Sequence, residues 1–258
     1  MTLDEARLAG RVPPAGWQPP RRDRFVDAAR TARVVAWVVS RFVHATRAPS
    51  SAVGDTTTAD GLEQAREECR RVLDELGVRV EVEHADRVPR DGGLVLMWNQ
   101  TSHLDHPILP VAIPRPFHVT YNNEVRRLPF YGRYLVRSDH FWLDRTDQTQ
   151  WRSQVAAAAA RVRAGACVLI SPEGTRSWDG RLLPMKRGAF LLAREAARPI
   201  VCVTVIGARE LLPRGRLAVR RGTVRVVFSE PIAVEASSEP VLERLVVATF
   251  ERELAASR

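Results

Sequence analysis

Gly92-Gly93-Leu94-Val95-Leu96-Met97-Trp98-Asn99-Gln100-Thr101-Ser102-His103-Leu104-Asp105-His106-Pro107 decides the fold of this chain. Leu94 to Trp98 is an unbroken apolar run of buried-strand length, bounded by two glycines before it and by polar Asn99 after it. Ser102-x-x-Asp105 then supplies an N-cap and its N3 acid, ahead of an apolar segment that must stop near Pro114. The block from Gln100 to Asp105 therefore falls at a strand-to-helix turn. Turns outside the carboxyl ends of strands are where open α/β sheets collect ligands.

A similar unit lies downstream. The Ala-rich stretch Gln150 to Arg163 is helical on propensity, Gly165 suits its end, and Cys167-Val168-Leu169-Ile170 suits a buried strand. Ser171-Pro172-Glu173-Gly174-Thr175-Arg176-Ser177 follows directly. Gly174 lets the backbone approach a ligand, Thr175 offers a hydroxyl, and Arg176 offers a fork of donors suited to phosphate or carboxylate. Arg145, just beyond a strand predicted at Phe141-Trp142-Leu143, supplies a second cation. Two arginines and turn amides at separate strand ends make an anion site.

These blocks resemble the glycerolipid acyltransferase family, which includes the lysophosphatidic acid acyltransferases and carries Asn-His-x-x-x-x-Asp-x-Pro and, later, Pro-Glu-Gly-Thr-Arg. The resemblance covers roughly Arg79 to Ile232 in ordered blocks: Asn99 to Pro107, Tyr121 to Gly132, Phe141 to Arg145, Glu173 to Gly188, and Pro199 to Val203. It implies an α/β fold with a central mixed sheet flanked by helices, here with an N-terminal helical extension. It also implies transfer of a fatty acyl group from a thioester, acyl-CoA or acyl carrier protein, to a hydroxyl of a lysophospholipid or glycerol-phosphate-like acceptor. In the family a His removes the hydroxyl proton and an Asp orients the imidazole. Carried over, Asp105 is the orienting acid, with Arg145, Glu173, Gly174, Thr175 and Arg176 around the acceptor phosphate.

The base position is held by Gln100, whose carboxamide has no proton-accepting pKa near neutrality. His103 and His106 are the obvious substitute bases, although within a helix starting at Ser102 His103 would point away from Asp105, and His106, beside Pro107, reads as a supporting or exposed packing residue. Asn122-Asn123 stand where the family commonly has lysines, and Asp139 where it usually has Gly, so the acceptor is expected to be less charged than lysophosphatidate or the site altered. Three readings follow: an active acyltransferase of phospholipid biosynthesis, a catalytically impaired relative that binds lipid or acyl-CoA, and acyl transfer to a non-phosphate acceptor. No cofactor beyond the thioester substrate, and no metal, is implied.

The 258 residues fit an acyltransferase domain over 61–258 behind an N-terminal extension over 1–60. Met1 to Arg21, rich in Pro and Arg, reads as disordered. In Arg22 to Arg47 the arginines Arg22, Arg30, Arg33, Arg41 and Arg47 fall on one helical arc, and Ala28, Ala32, Val35, Val38, Val39 and Phe42 on the other. Pro49 to Asp60 reads as a linker. The apolar run Val34 to Val39 is far short of the roughly 20 residues that span a bilayer. A peripheral position on the cytoplasmic side of the cell membrane is expected, with the basic helix either in the lipid interface or packed on the domain.

Net charge is +9, and Lys186 is the single lysine among 39 basic residues, a bias that reads as the coding preference of a GC-rich bacterial genome. The excess charge favours anionic surfaces. No aromatic-basic module, helix-turn-helix or Cys/His finger is present, so nucleic acid is not an expected partner. Cys69, Cys167 and Cys202 lie on apolar periodic segments and read as buried thiols.

Overall fold

The computed structural model describes residues 6–7, 10, 12–17, 25–47, 55–127, 132, 135–136, 139–144, 147–235 and 237–256. Seven strands form one sheet: β1 (Val78–Glu83), β2 (Leu94–Trp98), β3 (His118–Tyr121), β4 (Phe141–Trp142), β5 (Cys167–Ile170), β6 (Ile200–Ile206) and β7 (Gly222–Phe228). Their order is β1-β7-β6-β2-β5-β3-β4. All neighbours run parallel except β6 and β7, which makes the sheet mixed.

The α-helices with both ends among the described residues are α1 (Phe25–Arg47), α2 (Ala59–Leu76), α3 (Asp105–Ala112), α4 (Asn123–Arg126), α5 (Gln148–Arg163), α6 (Arg187–Ala196), α7 (Ala208–Leu211) and α8 (Glu239–Ala255). Because side chains alternate along a strand, β2 serves two cores at once. Leu94, Leu96 and Trp98 pack with Leu62 and Leu73 of α2 and Ile108 and Leu109 of α3. Val95 and Met97 pack with Val155 of α5, Phe190 of α6 and Phe250 of α8. The result is three layers, with β2 buried along its whole length.

The elements form where local chemistry places them. Thr58 caps α2 by accepting the Gly61 N–H at 3.1 Å, and Gly77 ends the helix in the left-handed region at φ 70°. Thr56 and Phe117 exchange hydrogen bonds of 2.7 and 2.9 Å. Asp55 to Thr58, read from the sequence as part of a linker, is therefore fastened to the start of β3. Cys167 and Cys202 are buried and Cys69 is half-buried; burial pushes all three thiols up to about 12.

Two N-terminal expectations are corrected. Arg30 does not lie on a solvated arc: its guanidinium donates to Val219 O at 2.7 Å, and the neighbouring Thr31 hydroxyl accepts the Val219 N–H at 2.9 Å. Val34 is buried beside them, whereas Val35 (55% exposed), Trp37 and Val39 face outward. The described part of the helix thus packs on the domain through a mixed face and leaves these three apolar side chains uncovered. Residues 12–17 and Gly10, expected to be disordered, lie against the loops after β5 and β6: Trp17 meets Trp178 edge-on at 5.0 Å, and Gly10 O accepts Trp178 Nε1 at 3.0 Å. Arg22 lies outside the described residues.

Beyond the end of β2, Asn99 continues the ladder with its side chain. Its Nδ2 donates to Val205 O at 3.0 Å and its Oδ1 accepts Val205 N–H at 2.7 Å. Asn99→Ala leaves both buried backbone groups of Val205 unpaired and is expected to cost about 2–4 kcal/mol. A urea midpoint unchanged from that of the native chain would refute this bridging role.

Candidate active site at the carboxyl edge of the sheet

Parallel pairing of β6, β2, β5, β3 and β4 brings the segments after each of them to one edge. There the Gln100 to Asp105 turn, the Glu173 to Arg176 turn and the loop from Gly207 to Arg221 meet. Ser177 N–H donates to Gln100 O at 3.3 Å, and Ser102 Oγ donates to Leu212 O at 2.9 Å. Three loops from separate strands are thereby fixed to one another.

Asp105 is 2% exposed. Its Oδ2 accepts the N–H groups of Thr101 and Ser102 at 2.9 and 3.1 Å, and its Oδ1 the Thr101 hydroxyl at 3.4 Å. Ser102 Oγ accepts the Leu104 N–H at 3.2 Å, so the cap read from Ser102-x-x-Asp105 is formed in its hydrogen bonds. The first turn is tight, with Asp105 N–H on Ser102 O and His106 N–H on His103 O, and the regular α-helix starts at Asp105 rather than Ser102. Burial raises the Asp105 carboxyl to about 7, against the pull of its amide donors and of Arg176.

Glu173 is equally buried, at 2% exposed. Its Oε1 accepts Gln100 N–H at 2.9 Å and its Oε2 accepts Leu183 N–H at 2.7 Å. Burial raises it too to about 7, with the charge of Asp105 adding to the effect. The expectation that Glu173 contacts the acceptor is corrected: both of its oxygens are engaged by amides of different segments, so it braces the site from beneath. Gly174 sits at φ 68°, which favours glycine, and its N–H is taken by Ser171 Oγ at 3.3 Å. The methyl of Thr175 packs towards Gly10. Arg176 is half-buried at the mouth, near enough to Asp105 to lower the carboxyl's pKa. Arg145 lies outside the described residues.

Gln100 is half-buried, its backbone held at both ends and its carboxamide without a hydrogen bond among the described residues. His103 is exposed and stacks near His106, with ring centroids 6.2 Å apart. It is not a partner of Asp105. Although solvent reaches its ring, crowding by protein, joined by the cations of Arg176 and Arg214, lowers the imidazole to about 4. It is therefore neutral at pH 7 and a weak base.

Three positions flagged for their departure from the family pattern have local duties. Asn122 caps α4 by accepting Val125 N–H at 3.0 Å, and Asn123 Oδ1 accepts Trp142 Nε1 at 2.7 Å. Asp139 is salt-bridged to Arg161 of α5 before β4 begins, at the opposite edge of the sheet. It says nothing about the acceptor. One residue of the mouth escaped the sequence reading altogether: Arg214, stacked over Trp178 at 4.2 Å and bonded to Arg176 O at 2.6 Å. No motif surrounds it, so only the folded chain reveals it.

The family described as Acyltransferase matches residues 79–206. A chloroplastic 1-acyl-sn-glycerol-3-phosphate acyltransferase of Brassica napus is 44% identical over 72 residues, covering 28% of this chain and 21% of that one. The 1-acyl-sn-glycerol-3-phosphate acyltransferase of Cocos nucifera is 28% identical over 153 residues, or 59% of this chain and 50% of that one. The chain thus spans half or less of the length of these relatives. The crystal structure of the 1-acyl-sn-glycerophosphate acyltransferase from Thermotoga maritima shares the fold, with a TM-score of 0.71 and 20% identity over 88% of this chain and 93% of that one. Through residues 79–206 the chain belongs to the glycerolipid acyltransferase family.

Proposed function

We propose that this protein transfers a fatty acyl group from a thioester to a hydroxyl of a lysophosphatidate-like acceptor at a membrane surface. The observation that carries the reading is the meeting of buried Asp105 and half-buried Arg176 at the ends of adjacent parallel strands, with Gln100 between the two turns. Arg176 binds the acceptor's anionic group, and the carboxamide of Gln100 holds the acceptor hydroxyl by a hydrogen bond. The hydroxyl oxygen attacks the thioester carbonyl, the carbon–sulfur bond breaks, and the hydroxyl proton ends on the released thiol. Orientation alone is worth roughly 7–11 kcal/mol, whereas a positioned base adds about 10²–10⁴-fold. A Gln100 enzyme is accordingly slow rather than inert.

Gln100 also favours a second reading, a lipid-binding relative without turnover. The rates of four chains, native, Gln100→His, Gln100→His with Asp105→Asn, and His103→Ala, separate the two. Gln100→His is expected to raise acyl transfer by up to about 10²–10⁴-fold, and Asp105→Asn on that background to remove most of the gain. His103→Ala is expected to change little. If His103→Ala abolishes native turnover, the assignment of Gln100 as the deficient base position is wrong.

The carboxyl of Asp105 gives the site a pH signature. Below its ordinary value of 3.8 it is protonated in folded and unfolded chains alike. As pH rises from there to about 7, the unfolded chain ionises while the folded one keeps its proton, so this group's stabilisation is lost across that window and stays lost above it. Asp105→Asn is expected to flatten the fall of the urea midpoint between pH 4 and 7. An identical slope in both chains would show that the carboxyl is not held neutral.

Membrane attachment is supported by the apolar side chains that α1 leaves exposed; no described helix is long and apolar enough to cross a membrane. On α1, Val35 and Val39 are exposed along one arc, and Trp37, about 200° from Val35, on another. Replacing all three by Glu in the full chain is expected to reduce sedimentation with anionic vesicles severalfold, with higher salt weakening what remains. Undiminished binding would place the contact elsewhere.

A further inference from the structure

We infer that Arg214 and Arg176 together form a two-guanidinium clamp for a phosphate monoester of the acceptor. The inference rests on the acceptor reading above and adds to it a residue that no motif marks. Arg214 leaves the loop between β6 and β7 at the edge where the Gln100 and Glu173 turns meet. Its Nη1 donates to the backbone oxygens of Gly10 and Arg176, the latter at 2.6 Å, and its plane lies over the Trp178 ring at 4.2 Å. Those contacts fix the guanidinium's position and orientation while engaging only one of its three nitrogens among the described residues.

The loop itself is braced on both sides of Arg214. Ser102 holds Leu212 at 2.9 Å, and Arg30 and Thr31 of α1 hold Val219 at 2.7 and 2.9 Å. A flexible surface arginine needs no such support.

The charges are arranged against each other rather than neutralised. Each of the two arginines is half-buried, and neither is ion-paired with a carboxylate among the described residues. Burial and the positive charge of Arg176 both act against the charged form of Arg214, with Glu124 opposing among the described residues, and both cations suppress protonation of His103. Two guanidiniums held near each other in a partly desolvated mouth repel. An anion between them relieves the repulsion and gains charge-assisted bonds from two forks, which suits a phosphate dianion far better than a neutral head group. The phosphates of a CoA donor carry the same chemistry, so the test separates the two sources.

The probes are a short-chain lysophosphatidate, the matching monoacylglycerol and free coenzyme A, titrated calorimetrically into the full chain. The variants are Arg214→Ala, Arg214→Gln, Arg214→Lys and Arg176→Ala. Arg214→Ala and Arg214→Gln are expected to weaken lysophosphatidate roughly ten- to hundredfold while leaving monoacylglycerol and coenzyme A unchanged, and Arg214→Lys to recover part of the loss. Unchanged lysophosphatidate binding in both neutral variants overturns the clamp, as does an equal loss for all three probes or a loss confined to coenzyme A. If Arg176→Ala abolishes a native preference for lysophosphatidate and Arg214→Gln does not, Arg214 alone is excluded. A native chain with no preference between the two lipids, indifferent to Arg176→Ala, would overturn the acceptor reading along with the clamp.

Discussion

The chain leaves β2 at Trp98 and must run through the interior for several residues with no neighbouring strand to pair its backbone. Buried N–H and C=O groups are costly when unmet, and three side chains meet them. Asn99 completes the ladder to Val205, Glu173 takes the Gln100 N–H, and Asp105 takes those of Thr101 and Ser102. Each is 2% exposed or less. The backbone of the site is therefore held by side-chain hydrogen bonds where the sheet's own ladder ends.

That solution places two carboxyl groups in one poorly solvated region. Their amide donors favour the charged forms, but burial outweighs them and lifts both groups towards neutrality, with the charge of Asp105 adding to the effect on Glu173. Among the described residues, the positive charge that acts on Asp105 is that of Arg176, at the mouth with Arg214 and not in ion-pair contact with either acid. Acidic groups lie beneath and cationic groups above, an arrangement that presents positive potential to whatever enters while keeping the acids engaged with backbone.

Much of this was legible in the sequence, for reasons that differ by feature. Leu94 to Trp98 and Cys167 to Ile170 are apolar at every position, and Ser102 is a cap whose chemistry is local, so these strands and the turn after β2 could be read directly. Burial of Arg30 could not, since a helical wheel treats charge as a mark of solvent and knows nothing of a carbonyl at Val219, remote in sequence. The residues before Trp17 looked disordered because their partners are Trp178 and Arg214, distant along the chain. Motif reasoning likewise placed Glu173 with its neighbours at the ligand, when its side chain turns inward to two amides. Arg214 belongs to no pattern and is recognisable only by what lies next to it.

Gln100 is consistent with the electrostatics around it. An imidazole there, once protonated during reaction, would need an ionised Asp105 to stabilise it. In this chain the carboxyl sits near 7 and its oxygens are already shared among two amides and the Thr101 hydroxyl. A cation at position 100 would also stand beside Arg176, whose charge already disfavours protonation of His103. A histidine at position 100 would meet the first demand, because an imidazolium beside Asp105 lowers the carboxyl's pKa and favours its ionised form, whereas a neutral carboxamide makes neither demand. What it forgoes is proton transfer, and an activated thioester whose leaving group can itself accept the proton is the acyl donor that makes that loss tolerable. On the proposed reading, Gln100 limits the chemistry to reactive acyl donors and leaves recognition of the acceptor to the arginines.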